Sequence, residues 1–312
     1  MTRPIKPIIF ALVACALLGA QAIAPAHVRA TNQEQDQPEL KFDVELELLH
    51  QGSAEYLLMD QSLGVVLLQA SVNGEETTAL LDTGASGTSI DVELATRIGL
   101  RVEKAGTKAK TVFGFIENYL VYGATIEVPS QFRFSSTTGG KDLTGLSRSI
   151  GKPVGLIIGM DVLRSLSFLI DSKRSRVVFL KSGAIKPRSG TATRFDLEGD
   201  TVSGTIAGKQ AVFEVDLGTN SEILVLQDSW SRLFDDKDDL AVRKSFDATG
   251  NEEVSRGLYN VPITIGPIAA KASVERVALQ DDGVDALIGY PLFKDRVTIF
   301  DYSAGHFTII TE

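Results

Sequence analysis

The sequence is poor in the residues that carry most nucleophilic and metal-based catalysis. It has three histidines, His27, His50 and His306, and one cysteine, Cys15, which falls in an apolar N-terminal run. Residues 31–312 therefore offer no thiol nucleophile and no disulfide. They also contain no zinc-ligand spacing and no recognisable context for a serine nucleophile. These absences leave carboxylate chemistry as the hydrolytic option, and we expect no metal and no cofactor.

Positive charge is also scarce. The 312 residues include 31 Lys and Arg against 40 Asp and Glu, for a net charge of −9. An acidic chain is a poor partner for nucleic acid or for an anionic membrane, so we expect neither. The apolar content of 44% is enough for a sizeable core, and the length favours about two domains or one large β domain.

The first 30 residues have the pattern of an export signal. Arg3 and Lys6 precede an apolar run over residues 8–24, and residues 28–30 (VRA) offer a small-residue cleavage site before Thr31. The run is short for a membrane span of about 20 residues, so we prefer cleavage to an N-terminal anchor. A cut after Ala22 also fits. The sequence thus predicts an exported protein, secreted or periplasmic.

Cys15 leaves an alternative open. Residues 12–15 (LVAC) are similar to a bacterial lipoprotein signal, in which the cysteine carries lipid. Apolar residues continue after Cys15, and we therefore prefer a small apolar residue inside a signal core. The polar residues 31–41 are predicted to be a flexible leader.

Beyond residue 41 the sequence pattern is typical of a β protein. Short runs rich in Val, Ile, Leu and Thr are broken by Gly, Asn and Asp. Helices are few: we predict one capped by Asp91 and ending at Gly99, and one capped by Asp142 and ending at Gly151. The strand-rich runs lie at residues 65–72, 77–81, 121–128, 175–180 and 297–300.

An internal repeat is the most informative feature. Residues 74–84 (GEETTALLDTG) match residues 208–218 (GKQAVFEVDLG), each with a glycine eight positions before an aspartate. Each copy closes with a second landmark, residues 156–159 (LIIG) and 286–289 (ALIG). The repeat predicts two similar lobes, 42–181 and 190–312, joined by a linker at 182–189.

Each repeat places a carboxylate directly after a strand. Asp82 and Asp216 are both followed by a glycine at the second position, Gly84 and Gly218, which permits close backbone approach. Thr83 can hydrogen-bond neighbouring backbone and fix the first turn. Two copies related by a pseudo-twofold axis would bring the two carboxyl groups together, where they would share one proton.

These motifs resemble the pepsin/retropepsin aspartic peptidases, in the style of exported bacterial members built from two retropepsin-like units. The resemblance rests on residues 80–86 (LLDTGAS), the apolar-apolar-Gly segments at 157–159 and 287–289, and the duplication. It implies an all-β fold of two similar β-barrel lobes with an active-site cleft between them. It further implies an aspartic endopeptidase that acts on a peptide or protein substrate with Asp82 and Asp216 as catalytic pair. Because one chain supplies both halves, we expect a monomer.

One position departs from the family pattern. Leu217 stands where a Thr or Ser would follow the second aspartate. In the family the paired hydroxyl groups brace the two loops, so we expect a looser or shifted pair here. The resemblance implies that Thr219 supports the Asp216 loop by a hydrogen bond to the Asp216 carboxylate. A catalytically impaired peptide-binding protein of the same fold is the alternative.

The resemblance also implies a hairpin that closes over the substrate. The candidates in the first lobe are Phe113, Gly114 and Phe115, and the corresponding place in the second lobe is residues 248–251. A surface hairpin whose aromatic residues pack on the body of the protein is the alternative.

Overall fold

Strands make up most of the computed structural model, which describes residues 45–50, 54–111, 114–187, 191–234, 241–246, 252–266, 268–279 and 283–310. The strands are β1 (Glu45–Leu48), β2 (Leu57–Leu58), β3 (Val66–Val72), β4 (Glu75–Leu81), β5 (Ser89–Asp91), β6 (Arg101–Thr111), β7 (Gly114–Val128), β8 (Phe132–Lys141), β9 (Val154–Ile158), β10 (Leu166–Asp171), β11 (Arg176–Lys181), β12 (Ala192–Asp196), β13 (Thr201–Ile206), β14 (Lys209–Asp216), β15 (Ile223–Leu226), β16 (Ala241–Phe246), β17 (Glu252–Ile265), β18 (Ile268–Val277), β19 (Ala286–Gly289), β20 (Val297–Asp301) and β21 (His306–Ile310). The helices are α1 (Val92–Arg97), α2 (Thr144–Ile150), α3 (Met160–Leu163) and α4 (Gln227–Phe234), with 3-10 turns at Ser172–Arg174 and Tyr290–Phe293.

Six strands close into a barrel in each half of the chain. In the first barrel the order is β8-β5-β9-β4-β3-β7, and a β7–β8 pairing closes the ring. In the second barrel the order is β18-β15-β19-β14-β13-β17, closed by β17–β18. The two rings use equivalent strands in the same order. The predicted all-β fold of two similar retropepsin-like lobes is therefore confirmed.

The closing strand of each repeat is apolar because it is covered on both faces. All five residues of β9 and all four of β19 are buried, which is the pattern of a central parallel strand. β9 runs parallel to β4, and β19 runs parallel to β14. The two landmarks of the sequence repeat are thus neighbouring strands, and each pair carries an aspartate at its end.

The start of α1 and the end of α2 follow the predicted caps. The Asp91 carboxylate accepts a hydrogen bond from Leu94 N at 3.0 Å, so it caps α1. α2 ends at Gly151, whose φ of 77° lies in the left-handed region that glycine favours. Its first cap is one residue later than predicted, at Leu143, and the Asp142 carboxylate accepts instead from Thr144 N at 3.0 Å.

A third sheet joins the two halves. Its order is β12-β21-β20-β10-β11-β2, and the central pair β10–β20 takes one strand from each half. Buried phenylalanines cover this sheet: the rings of Phe168 and Phe300 stack at 5.1 Å, and Phe293 meets Phe300 edge-on at 5.4 Å. Residues Pro38–Glu312 accordingly form one compact unit. The predicted lobe and linker boundaries stay predictions.

Trp230 lies buried on α4 against Phe234, with ring centroids 4.4 Å apart. The predicted signal segment and leader lie outside the described residues. Within the part of the chain that the structure describes, no helix combines the length and apolar character needed to cross a membrane.

Candidate active site

The two aspartates lie at equivalent strand ends. Asp82 directly follows β4, and its N–H donates to Ile158 O of β9 at 3.1 Å. Asp216 is the last residue of β14 and is paired with Gly289 of β19. Because both strands end in buried residues, each carboxyl group emerges from a rigid sheet rather than from a free loop.

Each carboxyl group packs against the glycine of the other loop. A Cβ added to Gly84 would lie 2.6 Å from Cγ of Asp216, and one added to Gly218 would lie 2.4 Å from Cγ of Asp82. No side chain fits at such distances, so both positions require glycine. The two predicted carboxylates and their two glycines are therefore brought together, and the carboxyl groups of Asp82 and Asp216 share a hydrogen bond.

Backbone N–H groups orient each carboxylate within its own loop. Oδ1 of Asp82 accepts from Gly84 N at 3.0 Å and from Ala85 N at 3.1 Å. Oδ1 of Asp216 accepts from Gly218 N at 2.9 Å. The first loop thus gives its aspartate one donor more than the second, which favours negative charge on Asp82.

Thr83 ties the first loop to the second with both of its hydrogen-bonding functions. Its hydroxyl donates to Val215 O at 2.6 Å and accepts from Leu217 N at 3.0 Å. Leu217 is fully buried, so an apolar contact replaces the reciprocal hydroxyl brace. Tyr302, also buried, lies beside Thr83. The brace is one-sided, yet the two carboxyl groups remain in contact.

Burial disfavours the ionised form of both aspartates. It raises the pKa of Asp82, while the N–H groups of Gly84 and Ala85 act in the opposite direction. Burial and then the negative charges of Asp82 and Glu214 raise the pKa of Asp216 well above its usual value. Glu214 stands two residues before Asp216 and so shares its face of β14. The pair is therefore arranged to hold one proton, with Asp216 the better site for it.

Sequence reasoning missed a charged pair beside the first loop. Nζ of Lys141, at the end of β8, donates to Ser89 Oγ at 3.0 Å, and Lys141 interacts with the charges of Asp82 and Asp161. The Asp161 carboxylate accepts from Thr88 N at 2.8 Å and from the Thr88 hydroxyl at 2.7 Å. Asp161 follows the apolar-apolar-Gly motif by two residues and could have been noticed there. No sequence motif marks Lys141.

Thr219 supports its loop through other contacts than expected. Its N–H donates to the Asp216 carbonyl oxygen at 3.3 Å, and its hydroxyl accepts from Ser221 N at 3.4 Å. Among the hydrogen bonds of the described residues, none joins the Thr219 hydroxyl to the Asp216 carboxylate. Thr219 therefore shapes the turn and leaves that carboxylate to Gly218.

The predicted closing hairpin is partly described. β6 and β7 form a long antiparallel hairpin that pairs Thr111 with Gly114, and Phe115 is 57% exposed near its end. Phe113 and residues 248–251 lie outside the described residues. More than half of the Phe115 side chain is open to solvent.

No group of three or more His, Cys, Asp or Glu side chains among the described residues could hold a metal ion.

No curated protein gives a significant match to the chain. Residues 68–162, from β3 to α3, match the family model described as aspartyl protease; they include Asp82, its loop and the parallel strand β9. Over these residues the chain is similar to the aspartyl proteases.

Proposed function

We propose that the protein is an aspartic endopeptidase that hydrolyses peptide bonds with a water molecule activated between Asp82 and Asp216. The observation that carries the proposal is the mutual packing of the two carboxyl groups against Gly218 and Gly84. Two buried carboxyl groups in hydrogen-bond contact share one proton, which supplies a base and an acid at the same point.

The chemistry needs one base and one acid on the two sides of the water. The ionised aspartate takes a proton from the water, and the water oxygen attacks the peptide carbonyl carbon. At the same time the protonated aspartate gives its proton to the carbonyl oxygen. The tetrahedral intermediate then collapses. The C–N bond breaks, the first aspartate returns its proton to the leaving nitrogen, and the second recovers one from a hydroxyl group. The pair ends in its starting state.

An extended peptide is the substrate that suits this fold. A strand-like segment can pair its backbone with exposed strand edges, so that main-chain hydrogen bonds supply affinity and side-chain pockets supply preference. The β6–β7 hairpin is the element we assign to closing over it, with exposed Phe115 as a contact. A closed hairpin would exclude bulk water from the reacting carbonyl.

A peptide-binding protein without turnover is the second candidate. It is favoured by Leu217, which removes the hydroxyl that would brace the second loop. The same surfaces would bind an extended peptide, but the pair of aspartates would not reach the geometry that hydrolysis requires. Binding without product formation separates the two candidates.

The test is an assay of residues 31–312 on a mixture of unstructured peptides from pH 3 to pH 7, with products identified by mass spectrometry. We expect cleavage by the unchanged chain and a loss of at least about 1000-fold in Asp82→Asn and in Asp216→Asn, because each change removes one member of the acid–base pair.

Asp142→Asn is the matched control. The Asp142 carboxylate accepts a hydrogen bond from Thr144 N at the start of α2, and the side-chain oxygen of asparagine can accept the same bond, so this variant should cleave normally. Peptides that bind without being cut would favour the second candidate. Cleavage that survives in both aspartate variants would rule out the endopeptidase proposal.

We also propose that the chain is exported and that residues 1–30 are removed. Support comes from the basic start, the apolar run and the small residues before Thr31. Mass spectrometry of the N-terminal peptide after expression with its signal tests this. A peptide beginning near Thr31 or Ile23 is expected, whereas a lipid-modified Cys15 would establish an anchored protein instead.

A further inference from the structure

The surroundings of the two aspartates differ in charge although the barrels are equivalent. On β14, Glu214 shares the face of Asp216; counting back the same two residues from Asp82 gives the apolar Leu80. On the first-barrel side, the positive charge of Lys141 acts on Asp82. The positive charge thus lies on the side of Asp82 and an additional negative charge on the side of Asp216.

Lys141 is held in place by a specific contact. Its backbone pairs with Asp91 of β5, and its ammonium group donates to the hydroxyl of Ser89, which is only 2% exposed. β5 is the strand that directly follows the Asp82 loop. The half-buried ammonium group is therefore fixed beside this loop rather than free in solvent.

The second barrel has an equivalent cation with a different contact. Counting from the two aspartates, Asp91 corresponds to Val225, and Val225 pairs with Arg276 as Asp91 pairs with Lys141. The guanidinium group of Arg276 lies over the Trp230 ring, 5.7 Å from its centre. The main causes of the raised pKa of Asp216 are burial and the charges of Asp82 and Glu214, and Arg276 is not one of these.

The charged groups that face Lys141 are few. The carboxylates of Asp82 and Asp161 are its electrostatic neighbours. The Asp91 carboxylate accepts from Leu94 N and Leu143 N, so its charge is engaged with helix and loop N–H groups. Two further titratable groups of the described residues lie close along the backbone: Asp142, the next residue in the chain, and Tyr119 of β7, which pairs with Gly140.

We propose that Lys141 is a positioning residue for the proton of the pair: its ammonium group holds the negative charge on Asp82, so that the proton stays on Asp216. Asp82 is then the base that receives the proton of the water, and Asp216 is the acid that protonates the peptide carbonyl oxygen. These roles rest on the proposed function, whereas the location of the proton does not depend on turnover.

The test measures the protonation of the pair directly. The protein is labelled with carbon-13 at the aspartate carboxyl carbon, and the two signals, assigned with Asp82→Asn and Asp216→Asn, are followed by NMR from pH 3 to pH 9. The two midpoints belong to the pair as a whole. In Lys141→Met we expect the lower midpoint to rise by about 0.5 to 1 unit, because the cation that favours ionised Asp82 is gone.

Two variants control this result. Lys141→Arg keeps the charge and should restore the lower midpoint to within about 0.2 unit of the unchanged protein. Arg276→Met removes the equivalent cation of the second barrel and should leave both midpoints in place. If Lys141→Met does not fold, Lys141→Gln, which retains a donor to Ser89, replaces it with the same expectation.

The outcomes separate this inference from the proposed function. Midpoints that stay within about 0.2 unit in the uncharged variant would overturn the role of Lys141, whether or not the protein cleaves peptides. A shifted midpoint without turnover in the unchanged protein would support Lys141 and reject the endopeptidase. If the protein cleaves, the acidic limb of kcat/KM should move upward by the same amount as the midpoint.

Discussion

At the scale of single residues, Thr83 and Leu217 show how much of the pairing between the loops depends on one hydroxyl group. Thr83 makes both cross-loop hydrogen bonds, to Val215 O and from Leu217 N. Leu217 contributes burial to the shared core instead. The loops are therefore joined by polar contacts from one side and by apolar packing from the other.

Thr83→Val should destabilise the protein markedly. Valine has nearly the same shape but leaves the buried Val215 carbonyl oxygen and Leu217 N–H without their partner, at a cost of about 2–4 kcal/mol in the free energy of unfolding. Urea unfolding measures the difference. Thr205→Val, at an exposed pair with Thr264, should change it by less than about 0.5 kcal/mol. An equal effect of the two changes would contradict the assigned brace.

Gly218→Ala tests the contact between the loops. The added Cβ would lie 2.4 Å from Cγ of Asp82, so the carboxyl groups must separate and the shared proton is lost. We expect the two titration midpoints of the pair to converge and any cleavage to fall at least about 100-fold. Gly87→Ala is the control, because its nearest neighbour, Oδ2 of Asp161, would be 4.0 Å away. Unchanged titration in Gly218→Ala would refute the close approach.

At the scale of strands and turns, local patterns were sufficient where the deciding contacts are close in sequence. The cap of α1 by Asp91, the left-handed end of α2 at Gly151 and the apolar strand β9 all follow from short segments. Lys141 and Tyr302 could not be found in this way. They meet the Asp82 loop from 59 and 220 positions further along the chain, and no spacing rule links such distances.

Asp301 should be important for the joining sheet. It is buried, and its carboxylate accepts from the Ser182 hydroxyl and from Gly183 N, both at 2.7 Å. Asp301→Ala removes a charged acceptor from these donors and should lower the free energy of unfolding by about 2–4 kcal/mol. Asp196→Ala, which breaks an exposed pair with Arg194, should cost less than about 1 kcal/mol. Thermal unfolding compares them, and equal losses would argue against a structural role for Asp301.

Phe115 tests the role of the β6–β7 hairpin. Because the side chain is 57% exposed, Phe115→Ser should change the free energy of unfolding by less than about 0.5 kcal/mol. If the hairpin closes over a bound peptide, the same change should weaken peptide binding at least about fivefold, which isothermal titration calorimetry measures. Tyr259→Ser, at another exposed aromatic, is the control. Equal peptide affinity in both variants would leave the hairpin without this function.

At the scale of the whole molecule, the duplication was visible in sequence but the way the halves are joined was not. The near-equal spacings from each aspartate to its closing glycine, 77 and 73 residues, indicated two similar lobes. The central strands β10 and β20 of the third sheet begin 131 positions apart in the chain. No local pattern in either strand predicts that the two pair. The Leu217 substitution likewise gave no sign that Thr83 would keep both cross-loop bonds.

The pair of aspartates should make stability depend on pH in a predictable direction. The pKa of Asp216 is well above its unfolded value of 3.8, so the folded state binds more protons between these two values. Stability therefore falls as pH rises through that window. Relative to the unchanged protein, Asp216→Asn should gain about 1.4 kcal/mol for each pH unit crossed, measured by urea unfolding from pH 3 to pH 8.

Asp60 provides a control of opposite sign. Its hydrogen bond with Lys152 lowers the pKa of Asp60 to about 2, so its contribution is present above pH 3.8 and is lost as pH falls towards 2. Asp60→Asn should therefore be the less stable protein at neutral pH, with a difference that disappears in acid. A constant offset of Asp216→Asn across the whole range would contradict the raised pKa.

The one-sided brace has a consequence for the ancestry of such chains. In an assembly of two identical subunits, any substitution at the brace would occur in both copies, and both hydroxyl groups would vanish together. Here Leu217 replaces the hydroxyl residue in one half while Thr83 is retained in the other, because separate parts of one gene encode the two halves. Fusion thus lets each half change separately, which two identical subunits cannot do.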